Sequence, residues 1–433
     1  MDPGDTPLAP DERLRLLQAP RPRRSLPMVT RQGEPEPLAE ETRPVDHRCV
    51  PRHVVWELTL QCDLACRHCG SRAGPKRPDE LTTAECFTLL DQLKELGTQE
   101  VTLIGGEAYL HDGWLDIIRH ARAIGLEVGI TSGGRGFTKE RAQAAAEAGL
   151  QTVSISLDGL AETHDRLRGV RGSHEAALAA LTNLRAAGIP VGVNTQINRL
   201  SVGELEATLE LVIAQGAHSW QIQLTVAMGR AVDEPEVLLQ PYELLALFPR
   251  LSALQARCKE AGVRLWPGNN IGYFGPYESE LRGSLPRGHH TSCGAGRGTM
   301  GIESDGSIKG CPSLPSEAWI GGNIRQTPVR EIWQRSPALR YMRDRTVQDD
   351  LWGFCRSCYY ADTCRAGCTW TSYVLFGKAG NNPYCHHRAL ELARQGKRER
   401  VVRRGEAPNR PFDHGDFELV LEDLPAAQEL SSP

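Results

Sequence analysis

Ten of the thirteen cysteines in this 433-residue chain fall into two spaced sets, and this spacing constrains the fold more than any other feature. The first set is compact: Cys62, Cys66 and Cys69. The second set lies in the C-terminal third: Cys293, Cys311, Cys355, Cys358, Cys364, Cys368 and Cys385. Iron–sulfur clusters are normally held by four cysteine thiolates. A set of three therefore leaves one iron free to bind another ligand, whereas a set of four indicates electron transfer or a structural role.

Spacing alone leaves a second interpretation open for these cysteines. Paired cysteines such as Cys355 and Cys358 are also typical of structural zinc sites. Zinc is the weaker alternative for the first set, because His68 is the only neighbouring residue that could act as a fourth ligand. Disulfides are disfavoured, since no charged segment followed by an apolar one opens the chain as a secretory signal would.

The bulk composition indicates a cytoplasmic enzyme. No apolar run approaches the length needed to cross a bilayer, so we expect no membrane partner. The net charge of −4 argues against nucleic-acid binding driven by bulk electrostatics. A basic stretch at 397–404 is interrupted by Glu399, and we interpret it as a solvated face or a contact for an acidic partner or peptide.

The chain divides into five predicted regions. Residues 1–48 are rich in proline, arginine and glutamate, and we predict that they are disordered. Residues 49–265 alternate between strand-like and helix-like segments, and residues 266–292 form an interdomain loop. The cysteine-rich residues 293–390 form a second, smaller domain, and residues 391–433 form a C-terminal tail.

The region 49–265 contains six predicted strand–helix pairs. The strands are predicted at 53–60, 100–104, 127–131, 152–157, 191–195 and 220–225. Six successive βα units predict an α/β fold with a parallel sheet, which right-handed crossovers curl into a partial (β/α)6 barrel. Such folds place their chemistry at the carboxyl ends of the strands. The loop that carries the first cysteine set follows the first strand directly.

Polar motifs also follow the later strands. Gly105, Gly106 and Glu107 come after the second strand, where glycines allow close approach to the backbone and a carboxylate can hold an amino group. Ser156 and Asp158 end the fourth strand and suit ribose hydroxyls. Each motif alone is also an ordinary turn signal. Their placement at successive strand ends is the informative observation.

With these motifs on one barrel, the chain resembles the radical S-adenosylmethionine (SAM) superfamily. Cys62-x3-Cys66-x2-Cys69 matches the defining motif of that family, including an aromatic-type residue, His68, before the last cysteine. The resemblance implies a [4Fe-4S] cluster whose open iron chelates S-adenosylmethionine. It also implies reductive cleavage of this cofactor to a 5′-deoxyadenosyl radical, which abstracts hydrogen from the substrate.

The same resemblance implies contacts to the cofactor. Gly105, Gly106 and Glu107 correspond to the segment that holds the methionyl amino group, and Ser156 and Asp158 to the ribose contact. The carboxylate and the remainder of the cofactor are expected to contact Arg168 and Asn194.

The second cysteine set resembles the SPASM extension found in part of that superfamily. The family pattern of seven cysteines is complete, and Gly306 stands at the expected place between the first two. The resemblance implies two auxiliary clusters of the [4Fe-4S] type. One would be held by Cys355, Cys358, Cys364 and Cys385. The other would be held by Cys293, Cys311 and Cys368, with its fourth ligand left open.

SPASM enzymes mostly modify peptides. The resemblance therefore implies a maturase that abstracts hydrogen from a ribosomally made peptide, giving a crosslink, an oxidation or an epimerisation. Its reductant would be a flavodoxin- or ferredoxin-type donor. Pro312 stands where sulfatase-maturing members carry an aspartate that acts as a base, so that activity is disfavoured. The segments 69–74 and 352–355 resemble maturases associated with GDL-motif peptides. Residues 1–48 are too short for a leader-binding winged helix, so the leader would bind another surface or a separate protein.

Two other functions stay open on the sequence. The first is the same radical chemistry on a small molecule such as a tetrapyrrole, and the second is a metal-binding scaffold without turnover. The residues that face the substrate are not predicted. In the interdomain loop, Asn269, Tyr273 and Tyr277 line a substrate channel or pack the two domains together.

Three cysteines stand outside both sets. Cys86 and Cys258 lie at helical spacing among leucines, so we predict that they are small core residues. Cys49 precedes the first strand and has no predicted role. A spare thiol of this kind could also donate hydrogen to a product radical.

Overall fold

A computed structural model describes residues 42–272, 274–283 and 293–425. The described strands are β1 His53–Thr59, β2 Glu100–Gly105, β3 Glu127–Ser132, β4 Thr152–Ser156, β5 Val191–Ile197, β6 Ser219–Leu224, β7 Arg264–Pro267, β8 Thr299–Ile302, β9 Ser307–Lys309, β10 Gly322–Asn323, β11 Lys397–Gly405 and β12 Asp416–Asp423. The described α-helices are Pro44–Arg48, Thr83–Leu96, Trp114–Ala123, Lys139–Glu147, Ala161–Arg168, Ser173–Ala186, Leu205–Ala214, Leu244–Glu260, Glu278–Arg282, Ser316–Trp319, Val329–Arg335, Pro337–Asp344, Val347–Asp350, Gly353–Ser357, Ala361–Cys364, Thr369–Phe376 and His386–Arg394.

The main sheet confirms the predicted α/β class with parallel strands. Strands β1 to β7 are neighbours in sequence order and pair in parallel throughout. Two features were not predicted. Strand β7 adds a seventh parallel strand, and β8 pairs in parallel with the other side of β1 and continues antiparallel into β9 and β10. Strand β1, with the cysteine loop that follows it, therefore lies in the interior of a ten-stranded sheet.

Side chains of β1 alternate between two environments. Val54, Trp56 and Leu58 are fully or almost fully buried and join the hydrophobic core under the helices. Val55 and Glu57 point to the opposite face, where they line a cavity inside the barrel. This two-residue period gives the barrel an apolar outer layer and a partly polar interior.

Local sequence signals explain where the helices begin and end, as in Thr83–Leu96. Thr82 caps its first turn by accepting a hydrogen bond from the Glu85 N–H, and the Glu85 carboxylate accepts one from the Thr82 N–H. The helix ends at Gly97, whose φ of 97° is the left-handed conformation that favours glycine. Its buried face consists of Cys86, Leu89, Leu90, Leu93 and Leu96.

The N-terminal prediction is wrong for the part that the structure describes. Residues 1–41 lie outside the described residues, but Pro44–Arg48 forms a helix. The carboxylate of Asp46 in this helix is fully buried and pairs with Arg43 and Arg343 at 2.9 Å and with Arg340 at 3.2 Å. These ion pairs tie the segment to helix Pro337–Asp344, which explains why a proline- and arginine-rich composition does not leave it disordered.

The predicted interdomain loop and C-terminal tail also contain regular structure. Within 266–292, the structure places the end of β7 and helix Glu278–Arg282. Within 391–433, it places the antiparallel hairpin of β11 and β12. The basic stretch lies on β11, and Lys397 and Arg398 pair with Asp423 and Glu422 of β12. None of the described helices combines the length and the apolar character needed to cross a membrane.

Candidate radical-generating site

A cavity of about 580 Å³ lies inside the barrel. Inward-facing residues of β1 to β6 form its wall, and the loops that follow these strands close one end. The C-terminal region contributes Pro312, Ser313, Trp370 and Phe412 to the same lining. The carboxyl ends of the parallel strands therefore meet at one cavity, as the βα alternation predicts.

All three cysteines of the first set line this cavity. Their sulfur atoms accept hydrogen bonds, Cys62 from the Leu64 N–H at 3.4 Å and Cys69 from the Ala73 N–H at 3.4 Å. Burial raises the pKa of the Cys66 thiol to about 11, although the nearby Arg168 guanidinium lowers it. A thiolate at this position therefore needs further positive charge, which a metal ion supplies.

The loop that carries these cysteines is held by backbone contacts that the sequence did not reveal. Arg230, which follows β6, donates hydrogen bonds to the carbonyls of Cys66 at 3.2 Å and Ala73 at 2.6 Å. Gly229 packs so tightly that a Cβ there would lie 2.2 Å from the Cys69 carbonyl oxygen. Gly229 and Arg230 could have been predicted as site residues from their position after the sixth strand.

Glu107 is buried beside the cysteine loop. Its carboxylate accepts hydrogen bonds from the Ser132 hydroxyl at 2.5 Å and the Gly133 N–H at 2.7 Å. Burial raises its pKa to about 7 although these hydrogen bonds act in the opposite direction. Gly105 makes this placement possible, because its φ is 148° and a Cβ there would lie 2.1 Å from the Thr59 carbonyl oxygen.

The sequence assigned Asp158 to a ribose contact, and the structure gives it a different place. Asp158 is fully buried, and its Oδ2 lies 2.6 Å from Arg168 Nη2 and 3.4 Å from His68 Nε2. Its Oδ1 accepts a hydrogen bond from the Gln196 N–H at 2.8 Å. Asp158 is not among the residues that line the cavity, and its Oδ2 contacts Arg168 and His68, which do line it.

The other predicted cofactor contacts do line the cavity. Ser156, Arg168 and Asn194 all contribute to its wall, together with Gly105, Gly106 and Glu107. Asn194 Oδ1 and Arg168 Nε are buried and have no hydrogen-bond partner among the described residues. Buried polar atoms are normally paired, so these two atoms fit a polar ligand in the cavity.

The second cysteine set separates into the two predicted groups. Four of its members line a single small cavity: Cys355, Cys358, Cys364 and Cys385. Arg388 also lines this cavity, and its guanidinium pairs with Glu399 at 2.6 Å. Phe274 and Tyr360 stack with ring centroids 4.5 Å apart, and Tyr360 lines the cavity.

The remaining three cysteines of this set are neighbours elsewhere in the C-terminal region. Burial, together with the nearby Cys293 and Cys368 thiols, raises the pKa of Cys311 to about 12. Cys293 belongs to a small apolar cluster with Leu314, Trp319 and Met342. The structure therefore groups the seven cysteines as four and three.

The interdomain loop lies near the second cavity. Gly272 lines that cavity, and the Tyr277 ring lies 5.8 Å from the ring of His386. This placement favours the packing role over a channel for Tyr277, whereas Tyr273 lies outside the described residues. Cys86 and Cys258 are fully buried in the main core, and Cys49 packs against it from the edge.

Comparison with known proteins identifies the family. The Radical SAM superfamily model matches residues 56–212, and an iron–sulfur cluster-binding domain, SPASM, matches residues 293–359. An AdoMet-dependent heme synthase of Methanosarcina barkeri is 32% identical over 359 residues, which cover 78% of this chain and 97% of that protein. The chain belongs to the radical SAM superfamily.

Two further similarities extend this result. The mycofactocin maturase MftC of Mycobacterium ulcerans is 31% identical over 322 residues, covering 73% of this chain and 83% of the relative. The crystal structure of Streptococcus suis SuiB bound to precursor peptide SuiA has a TM-score of 0.61. It covers 78% of this chain and 77% of SuiB at 17% identity, so it shows a shared fold.

Membership of the family settles the class of chemistry. The protein is a radical SAM enzyme, which excludes the metal-binding scaffold without turnover. Its cofactors are S-adenosylmethionine and [4Fe-4S] clusters, and the cysteine-rich SPASM region fits auxiliary clusters.

Proposed function

We propose that this radical SAM enzyme modifies a ribosomally made peptide by hydrogen abstraction, giving a crosslink, an oxidation or an epimerisation. The observation that carries the proposal is the chemistry of the cavity wall beyond the cofactor contacts. Gln196, Gln221 and Gln223 line the cavity, and no described hydrogen bond involves their side-chain amides. Free amide groups complement the N–H and carbonyl groups of a peptide backbone.

We assign the catalytic cluster to Cys62, Cys66 and Cys69. Three thiolates on one loop would hold three irons of a [4Fe-4S] cluster and leave the fourth iron without a protein thiolate. When bound, this cluster and S-adenosylmethionine together supply a 5′-deoxyadenosyl radical that takes hydrogen from the substrate. Arg168, which donates to Cys66 Sγ at 3.6 Å, stabilises negative charge on that side of the site.

The cofactor contacts follow from the wall of the cavity. The Glu107 carboxylate holds the amino group, and the backbone at Gly105 and Gly106 allows close approach. Asn194 and Ser156 supply polar contacts to the remainder of the cofactor. Asp158 acts indirectly, because it keeps Arg168 and His68 in place.

We assign one auxiliary cluster to the four cysteines that line the second cavity, Cys355, Cys358, Cys364 and Cys385. The second auxiliary cluster belongs to Cys293, Cys311 and Cys368, with a further ligand of another kind. Several clusters in one chain can pass single electrons, and we propose a flavodoxin- or ferredoxin-type donor in the cytoplasm as their source. A separate protein that presents the peptide leader is compatible with this assignment.

A tetrapyrrole is the second candidate substrate, and the similarity to the heme synthase of Methanosarcina barkeri favours it. The charge of the cavity wall argues against it. A tetrapyrrole carries several carboxylates, yet Arg168 is the only arginine or lysine among the described lining residues, and it is already paired with Asp158. Three glutamates, Glu57, Glu100 and Glu107, line the same cavity, and none of them would attract such a substrate.

The test is co-expression of the protein with each short open reading frame beside its gene, under anaerobic conditions. A crosslink or oxidation appears as the loss of two hydrogen masses from one peptide. An epimerisation in D₂O appears as the gain of one deuterium. The matched control is the Cys66→Ala variant, in which every peptide should stay unmodified.

A parallel incubation contains a metalloporphyrin with four propionates, dithionite and S-adenosylmethionine. Loss of carboxyl groups from the porphyrin, with no change in any peptide, would overturn the peptide assignment in favour of the tetrapyrrole.

A further inference from the structure

The hairpin of β11 and β12 has two outer edges, and one of them is closed by a side chain. Val401 on β11 donates its N–H to Gln240 Oε1 at 2.8 Å and accepts a hydrogen bond at its carbonyl from Gln240 Nε2 at 3.2 Å. The amide of Gln240 therefore pairs with this edge as a neighbouring strand would. The edge of β11 offers no further pairing at this position.

The register of the hairpin shows which groups point outward from β12. The Leu424 N–H donates to the Gly396 carbonyl at 2.7 Å, so every second residue pair counted from there exchanges ladder hydrogen bonds. Val401 and Leu419 form a pair that exchanges no ladder hydrogen bonds, so the N–H and carbonyl of Val401 point outward, which agrees with its contacts to Gln240. By the same alternation, the N–H and carbonyl groups of Phe417, Leu419 and Leu421 point away from β11.

Helix Thr369–Phe376 packs against β12 and the Phe417 side chain is buried, but no described residue pairs with this outer edge as a third strand. No described backbone or side-chain group forms a hydrogen bond with the outward N–H or carbonyl groups of Phe417, Leu419 or Leu421. The strand contains no proline, and its charged residues Glu418, Glu422 and Asp423 pair with basic residues of β11. The Leu421 side chain is 58% exposed, the largest exposed fraction among the described large hydrophobic residues.

We propose that the outer edge of β12 binds an extended segment of the precursor peptide as a third strand. The inference rests on the proposed peptide substrate and deepens it, because it names the surface that recognises the peptide away from the modified residues. Strand addition of this kind takes its affinity from main-chain hydrogen bonds and therefore tolerates variation in peptide sequence.

The position of β12 relative to the barrel favours the substrate peptide as the occupant. Phe412 lines the catalytic cavity, and β12 begins shortly after it, at Asp416. His414 between them forms an antiparallel bridge with Met228, which also lines the cavity. A peptide strand paired with β12 would therefore lead to the cavity. The eight residues of β12 span about 26 Å, enough to bind one segment firmly while the next enters the barrel.

The deciding variant is Leu421→Pro, with Leu421→Ala as its matched control. Both remove the exposed side chain, but only proline removes the outward N–H, and it leaves the ladder to β11 intact. We expect Leu421→Pro to raise the KM of the peptide about tenfold at unchanged kcat, and Leu421→Ala to raise it less than about threefold. Unchanged iron content and unchanged peptide-independent cleavage of S-adenosylmethionine show that the variant folds.

Hydrogen exchange provides a second, direct measurement. The probe is a synthetic copy of the peptide that co-expression shows to be modified, added to the reconstituted enzyme. We expect slower exchange in the segment 416–423 when the peptide is present. A peptide that is modified normally, without protection of this segment and with equal KM values for both variants, would overturn the inference while leaving the proposed function intact. If no peptide is modified, the proposed function itself fails.

The same measurements distinguish two other occupants of this edge, which are residues 426–433 and a second copy of the chain. Truncation after Pro425 removes residues 426–433. Higher peptide affinity after this truncation, together with faster exchange of 416–423 in the absence of peptide, would show that these residues occupy the edge in the free enzyme and would still support the edge as a strand acceptor. Sedimentation that shows a dimer, lost in Leu421→Pro but kept in Leu421→Ala, would assign the edge to a second copy of the chain and overturn the inference.

Discussion

The two cysteine-lined cavities share one device, a buried arginine paired with a carboxylate at 2.6 Å. In the barrel this pair is Arg168 with Asp158, and in the C-terminal region it is Arg388 with Glu399. A guanidinium beside several thiolates offsets part of their negative charge, and the carboxylate fixes its orientation. In both cavities, a paired arginine therefore compensates part of the negative charge of the thiolates.

The surroundings of the thiols differ. The barrel cavity is large and has polar wall atoms, among them Asn194 Oδ1, that find no partner among the described residues. The C-terminal cavity is small, and four cysteines line it together with the rings of Phe354 and Tyr360. Three thiolates beside a polar wall leave room for a second ligand, whereas four thiolates beside aromatic rings do not. The number of cysteines and the polarity of the wall together distinguish a reactive site from an electron-transfer or structural site.

The strongest test of this comparison is one cysteine replacement in each cavity. We expect Cys66→Ala to abolish formation of 5′-deoxyadenosine from S-adenosylmethionine. Cys355→Ala should keep this cleavage but lose modification of the substrate, and each variant should lose about four irons per chain. Iron analysis and chromatography of the nucleoside measure both effects. Equal loss of cleavage in the two variants would mean that the cavities do not divide the chemistry.

The paired arginines provide the next test. Asp158→Asn and Glu399→Gln each leave a buried guanidinium without its carboxylate, so each should lower the free energy of unfolding by about 3 kcal/mol. Urea denaturation of the reconstituted proteins measures this change. Only Asp158→Asn should also weaken binding of S-adenosylmethionine, because Arg168 lines the barrel cavity. A similar loss of cofactor affinity in Glu399→Gln would contradict the separation of the two sites.

Glu107→Gln should weaken binding of S-adenosylmethionine about tenfold or more, since it removes the charged partner of the cofactor's amino group. Ser132→Ala is the matched control, because it removes one hydrogen bond to Glu107 and keeps the charge. We expect a loss of about threefold there. Isothermal titration under anaerobic conditions gives both dissociation constants, and equal losses would show that Glu107 only supports the loop.

The smallest expected effect comes from the same substitution made in each cavity. Asn194→Ala removes one neutral hydrogen-bond acceptor from the barrel wall and should weaken S-adenosylmethionine binding about fivefold. Asn382→Ala changes the wall of the C-terminal cavity and should leave that affinity unchanged. If both variants bind the cofactor like the unmodified protein, Asn194 has no part in the cofactor site.

Local patterns predicted most of the barrel from the sequence. The six βα pairs were visible because apolar periodicity is a local signal, and the cysteine spacing is a local motif. Strands β7 and β8 were missed because each has only four residues, and β8 is defined by its pairing with a distant strand. The hairpin was missed because charged residues on both faces of β11 conceal the two-residue period of a strand.

In the site, too, residues that belong to local motifs were predicted, whereas contacts between distant parts of the chain were not. Gly105, Gly106, Glu107 and Ser156 were found from their positions at strand ends, and Arg168 and Asn194 from the family resemblance. The structure brings all six to one cavity. The place of Asp158 could not be found in this way. Its environment depends on His68 and Arg168, which come from two other parts of the chain.

The pairing of β1 with β8 has a consequence for how the chain is made on the ribosome. Ser304, two residues after β8, donates a hydrogen bond to Glu57 of β1, and these residues are 247 positions apart. Until that distant segment has been synthesised, β1 has one open edge beside the loop that carries Cys62, Cys66 and Cys69. Such late pairing slows folding and leaves the edge open to aggregation. The sheet around β1 is therefore complete only after the C-terminal region has been synthesised.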